Sequence, residues 1–194
     1  MIHVDPQPEP ADFDARVRQP GLADVASLGS ELRPRWRHCA TQLWDAYKGV
    51  CAYSAIYIPR GTGALSVDHL LPKSKRRELA YEWSNYRLAC TRMNARKNDL
   101  EEVLDPFEVQ DGWFALELST LQVIPGNGLS ESLRAQVEKT IERLDLNDEE
   151  FIVARESYYS DWLGGDTSFR HLRKWCPFLA KELVRQGVAT EDRF

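Results

Sequence analysis

The chain has 194 residues, 43% of them hydrophobic and 28% charged, with a formal net charge of −5. That is enough apolar material for a sizeable core, and one globular domain with appendages is the expectation. An acidic total argues against a general nucleic-acid binder, because such proteins usually carry a basic surplus. The longest apolar run, Val50 to Ile58, is too short to span a bilayer, so no membrane partner is expected. The N-terminus has neither a basic region nor an apolar one of the secretory kind, and four cysteines are too few for a stapled secreted fold. A cytoplasmic location with reduced thiols follows as the expectation.

In chain order, residues 1–30 read as an extended arm, because Pro6, Pro8, Pro10 and Pro20 interrupt regular structure. Trp36, Ala40, Leu43, Trp44 and Tyr47 fall at helical spacing and predict an amphipathic helix from Glu31 to Tyr47. A turn at Gly49 leads to an apolar stretch ending at Pro59. Gly61-Thr62-Gly63 is a turn, Ala64 to His69 a short strand, and Asn85 to Cys90 a second one. Thr91 is placed to cap a helix running from Arg92 to Leu100.

Beyond it, Trp113–Leu118 and Leu121–Ile124 predict a hairpin. Leu133, Val137, Ile141 and Leu144 mark a helix after Ser130, and Phe151, Ala154, Tyr158 and Trp162 mark another opened by Asn147 or Asp148. Two shorter helices around 168–176 and 178–187 are separated by Pro177, and the tail after Gly187 reads as loose. The architecture expected is α+β, divided into the arm (1–30), a helix with the two strands and their helix (31–104), and a hairpin with a helical region (105–194).

The charge is unevenly spread. Residues 60–97 carry nine basic side chains against Asp68, Glu78 and Glu82, a net +6, whereas residues 98–194 carry ten basic against twenty acidic, a net −10. Phosphate is the natural complement of such a basic island. Inside it lies Val67-Asp68-His69-Leu70-Leu71-Pro72-Lys73-Ser74, followed by Trp83-Ser84-Asn85 and Thr91-Arg92-Met93-Asn94-Ala95-Arg96-Lys97. Alternation along a strand sends the Asp68 and His69 side chains in opposite directions. Asp68 can then hold a hard cation while His69, with an imidazole near neutral pKa, takes a proton from water. Asn94 offers a second oxygen, and one carboxylate, one amide and waters suit Mg²⁺ or Mn²⁺. Lys97, three residues further along the same helix face, can neutralise phosphate. Lys73, Lys75, Arg76, Arg77, Arg92 and Arg96 are the other candidate phosphate contacts.

The ordered set Asp68-His69, Asn85, Asn94, Lys97 resembles the HNH endonucleases with the ββα-metal fold, and the order is similar to that in the HNH domains of RNA-guided CRISPR nucleases. The resemblance covers roughly residues 51–99. It implies an HNH core embedded in a mainly helical domain, with His69 as general base, Asp68 and Asn94 as ligands to Mg²⁺ or Mn²⁺, and Asn85 pinning the loop and orienting His69. A wider resemblance runs through Cys51-Ala52-Tyr53, Asp105-Pro106-Phe107-Glu108, Trp113-Phe114 and Ile141 to Asn147. It is to bacterial stand-alone HNH proteins similar to the nuclease subunits of retron-linked and Septu-type phage-defence systems, in which the nuclease works beside an ABC-type ATPase. One departure stands out. Many members carry a zinc knuckle of two Cys-x-x-Cys pairs, but the matching positions here read Cys51-x-x-Ser54 and Cys90-x-x-Met93. Serine and thioether are poor zinc ligands, so no structural zinc is expected and Met93 is expected to fill the space. DNA is the expected substrate. Two alternatives stay open: the same chemistry on RNA, and a nucleic-acid-binding or partner-docking module without catalysis.

Overall fold

The computed structural model describes residues 1–27, 32–62 and 65–190, and shows an α+β chain of short helices and two small antiparallel sheets. It packs as two compact units built from interleaved segments. One comprises Asp5–Val50 and Ile58–Glu101; the other comprises Met1–Val4, Cys51–Tyr57 and the chain from Glu102 onward. The boundary expected at 104/105 thus falls at 101/102. The supposed N-terminal arm is shared between the two units.

In the first unit, residues 14–26 are helical rather than extended: a π-helical turn, Asp14–Arg18, runs into α1, Gln19–Ala26. Pro20 does not interrupt it: it sits in the first turn of α1, where its fixed φ suits the helix. The apolar anchors are Phe13 and Val17, both fully buried. Phe13 meets Trp83 and Tyr86 edge-on, with ring centroids 5.5 and 5.9 Å away. Gly21 is required by a close approach, since a Cβ there would come within 2.2 Å of the Tyr81 ring.

The single helix expected over 31–47 is two pieces, and its first residue lies outside the described residues. A 3₁₀ turn, Arg35–His38, is separated from α2, Ala40–Ala46, by Cys39 at φ −118° and ψ 3°. Pro34, with its fixed φ and no N–H, precedes the turn.

Strand β1, Leu65–His69, pairs antiparallel with β2, Tyr86–Cys90, in the register Leu65↔Cys90 to His69↔Tyr86. Ala64 and Gly63 lie outside the described residues. Helix α3, Thr91–Lys97, follows β2 with no linker and packs on both strands. The strand's last residue, Cys90, takes the N-cap position expected for Thr91, with no side-chain cap bond. Asn98, at φ +37°, ends the helix three residues earlier than expected.

The second unit holds the hairpin β3, Phe114–Glu117, and β4, Gln122–Pro125, in the register Phe114↔Pro125 to Glu117↔Gln122. Four helices follow: α4 (Glu131–Leu144), α5 (Glu149–Leu163), α6 (Phe169–Trp175) and α7 (Pro177–Arg185). Ser130, Asp148 and Ser168 cap the first three with side-chain oxygens, and Pro177 opens the fourth. Asn147 fastens the helical part to the hairpin: its Oδ1 accepts from Val123 N at 2.7 Å and its Nδ2 donates to Val123 O at 2.9 Å. Val137, Leu144, Leu172, Leu179 and Leu183 fill the interior. Among the described residues no helix is long and apolar enough to cross a membrane, and residues 191–194 of the tail lie outside them.

Candidate active site

Asp68 and His69 end β1, one side chain on each face of the two-stranded sheet. Ser66 and Asp68 share a face, and α3 lies over it. Asn94 Nδ2 donates to Ser66 Oγ at 2.7 Å, and Lys97 Nζ stands 3.8 Å from Asp68 Oδ2. A serine oxygen accepting from the amide nitrogen leaves the amide oxygen, Oδ1, turned elsewhere. Ser66 thereby fixes the position of the Asn94 amide, whose Oδ1 remains to serve as a ligand. The residue is 7% exposed and Asp68 2%, so the arrangement is inside the protein rather than on a mobile surface.

Lys97 occupies a different place from the one its spacing suggests. It is completely buried. Its ammonium donates to His69 O at 3.1 Å and Leu70 O at 2.9 Å, beside the Asp68 carboxylate. Burial lowers its pKa, and Asp68 opposes that fall. An ammonium so engaged holds the end of β1 against α3 and is not offered to solvent phosphate. Arg87, across the ladder from Asp68, is also buried and donates to Ser84 O and Tyr86 O. Two of the nine charges in the basic island thus belong to the interior. Lys73, Lys75, Arg76, Arg77 and Arg92 are exposed and Arg96 is half-buried. Among these, Lys75 pairs with Glu101 at 2.8 Å and Arg76 with Glu78 at 2.5 Å.

On the other face, His69 stands edge-on to Tyr86, its cross-strand partner, at 5.2 Å and 89°. Its Nε2 lies 2.9 Å from Ala80 O, which also accepts from the Tyr86 hydroxyl at 3.0 Å. A carbonyl can only accept, so Nε2 carries the proton and Nδ1 bears the lone pair. Burial pushes the pKa of His69 down to about 4, against the raising effect of the Ala80 carbonyl; Lys73 and Lys97 lower it further. The ring is therefore neutral at pH 7, the form a general base requires.

Asn85 closes the loop between the strands. Its Oδ1 accepts from Leu71 N at 2.8 Å, and its Nδ2 donates to Leu71 O at 3.0 Å and Leu79 O at 3.1 Å. Its own carbonyl accepts from Leu70 N at 2.9 Å. The chain after His69 is thus fixed from both sides. The 77–80 turn that presents the Ala80 carbonyl is fixed with it.

The sequence pattern thus comes together as one structure. Asp68, Asn94 and Lys97 lie on one face of β1, and His69 and Asn85 lie where the strand turns away. Ser66, Tyr86 and the Ala80 carbonyl were not singled out by the spacing argument. Ser66 and Tyr86 carried a legible signal, at strand alternation from Asp68 and next to Asn85; a backbone carbonyl carries none. For a cation the donor chemistry fits. Asp68 and the Asn94 amide are hard oxygen donors of the kind Mg²⁺ prefers. Among the described residues no three His, Cys, Asp or Glu side chains converge on a metal-binding cluster. At the knuckle positions, Cys51 and Ser54 belong to one unit and Cys90 and Met93 to the other, and Met93 is fully buried on α3. No known family model matches the chain, and no curated protein does.

Proposed function

We propose that the protein is an HNH-type endonuclease that hydrolyses phosphodiester bonds in DNA with Mg²⁺ or Mn²⁺. The observation that supports this most is the division of β1 into two faces. Oxygen donors Asp68 and Asn94 lie on one side, and a neutral histidine with a defined lone pair lies on the other. His69 Nδ1 takes a proton from water, and the water oxygen attacks phosphorus in line as the bond to the leaving 3′-oxygen breaks. Asp68 and Asn94 would hold a divalent ion, which would supply charge stabilisation at that oxygen. The products on this reading are 5′-phosphate and 3′-hydroxyl ends, as in the family the sequence resembles.

Asn85 acts by holding the 70–80 loop, so that Ala80 keeps Nε2 protonated and Nδ1 basic. Lys97 neutralises Asp68 from within and holds the strand end. The exposed Lys73, Lys75, Arg76, Arg77 and Arg92 supply the phosphate contacts on this reading. In the cell we place the enzyme in the cytoplasm, in phage defence beside an ABC-type ATPase, as the wider resemblance implies. Plasmid DNA incubated with pure protein tests the activity. Nicking or linearisation with Mg²⁺ or Mn²⁺, abolished by EDTA and restored by added metal, is the expected result. Equal cutting in EDTA, or cutting of RNA alone, overturns it.

A further inference from the structure

Within the acidic half of the chain, one helix is strongly basic. Helix α6 reads Phe169-Arg170-His171-Leu172-Arg173-Lys174-Trp175, three permanent cations and a histidine with no carboxylate, within a region of net −10. Phe169 and Leu172 are buried, which turns Arg170, His171, Arg173 and Lys174 outward, all of them exposed. The helix is a fixed platform. Ser168 Oγ accepts from His171 N at 3.1 Å, and Trp175 O accepts from Tyr57 N at 2.9 Å.

Aromatic rings stand among these charges. His171 lies parallel on Trp175, with centroids 5.2 Å apart and planes 13° from parallel. Tyr57 and Tyr158 flank the same indole at 4.5 and 6.2 Å, and all three rings are half-buried rather than sealed in the core. Lys174 Nζ sits 5.3 Å from the Tyr57 centroid and 6.0 Å from that of Trp175. A cation over aromatic faces keeps its charge available to a phosphate while its stem covers the rings. An exposed imidazole already stacked on an indole offers its outer face to one more flat ring.

We propose that this face of α6 binds single-stranded DNA, with bases stacking on the His171–Trp175 pair and phosphates along Arg170, Arg173 and Lys174. Alternating cations and exposed aromatic faces are the means by which single strands are held without sequence preference. A duplex does not fit the same surface, because its base faces are already stacked on each other. The choice of DNA rests on the function proposed above, whereas the stacking and charge argument stands on α6 itself.

Binding of a fluorescein-labelled oligothymidylate of about 16 nucleotides, followed by anisotropy in EDTA, separates this surface from any cleavage. The wild-type protein is expected to bind it more tightly than a duplex of the same length. His171→Ala is expected to weaken binding by about tenfold, the worth of one stacked base. Arg173→Glu with Lys174→Glu is expected to lower the slope of log K against log salt by about 1.4, the share of two phosphate contacts on a single strand. All three side chains are exposed, so each variant is expected to keep a cooperative melting transition. Variants that bind like wild type, or a duplex bound as tightly as the single strand, overturn the proposal. Tighter binding of the matching oligouridylate overturns the choice of DNA. Binding with this pattern but no cleavage under any metal refutes the nuclease reading and leaves the α6 surface standing.

Discussion

The β1–β2–α3 region and the α4–α7 region solve the problem of burying polar groups in opposite ways. Between residues 66 and 97 the interior contains Ser66, Asp68, Asn85, Arg87 and Lys97, several joined by hydrogen bonds to one another or to strand-end carbonyls. Over 102–190, about three times as long a stretch, it contains only Thr140, Arg155 and Glu182. Three of the four helices there start on side-chain caps, whereas α3 has none and is held by Met93 and Lys97, both fully buried. Burying a charge costs several kcal/mol unless it is paired and hydrogen-bonded. On the function proposed above, the region that carries this cost at adjacent positions holds the chemistry, whereas the interior of the other region is mainly apolar.

The contrast breaks first at the buried ion pair. Asp68→Ala strands the Lys97 ammonium and is expected to cost about 3–5 kcal/mol in urea unfolding. Adding Lys97→Met should recover part of that loss; a single mutant as stable as wild type would remove the pair from the account. Asn85→Ala deletes three hydrogen bonds to the 70–80 loop, each worth about 1 kcal/mol, and the expected loss is their sum. A loss confined to a few tenths of a kcal/mol would mean that the loop is held by other contacts.

The next effect is set by pH. The folded-state pKa of His69, about 4, lies below the unfolded value near 6.5. Between those values the unfolded chain binds a proton that the folded one does not. Stability is therefore fully present above pH 6.5 and falls as pH drops toward 4, by at most about 1.4 kcal/mol per unit. Urea midpoints at pH 7 and pH 5 should diverge more for wild type than for His69→Gln, and equal divergence would contradict the burial argument. Smallest is the scaffold's own test. Ser130→Ala removes the α4 cap and should cost about 1 kcal/mol, read as a shift in the urea midpoint with no change in cleavage.

Much of this was legible in residue order. The strand read over Ala64 to His69 is β1 from Leu65, the 3.6-residue period located α4 after Ser130 and α5, and of the two openers Asn147 and Asp148 the second is the cap. The grouping of Asp68, His69, Asn85 and Asn94 came from the resemblance to the HNH pattern, and these residues lie on β1, on the turn before β2 and on α3. The helical turns over 14–26 were not legible, since four prolines suggested extension. What makes those turns stable is Phe13 packing on Trp83 and Tyr86, some 70 residues away. The burial of Lys97 and Arg87 was hidden for the same reason. A side chain's charge is visible in the sequence, but whether it meets water or a strand-end carbonyl depends on the path of the whole chain.

The role of His69 Nδ1 as the base is read most directly from the single-turnover cleavage rate of His69→Ala on plasmid DNA with saturating Mn²⁺, at a temperature where both proteins are folded. The expected result is a fall of about 10²- to 10⁴-fold. A His69→Ala protein that cuts at the wild-type rate would contradict it.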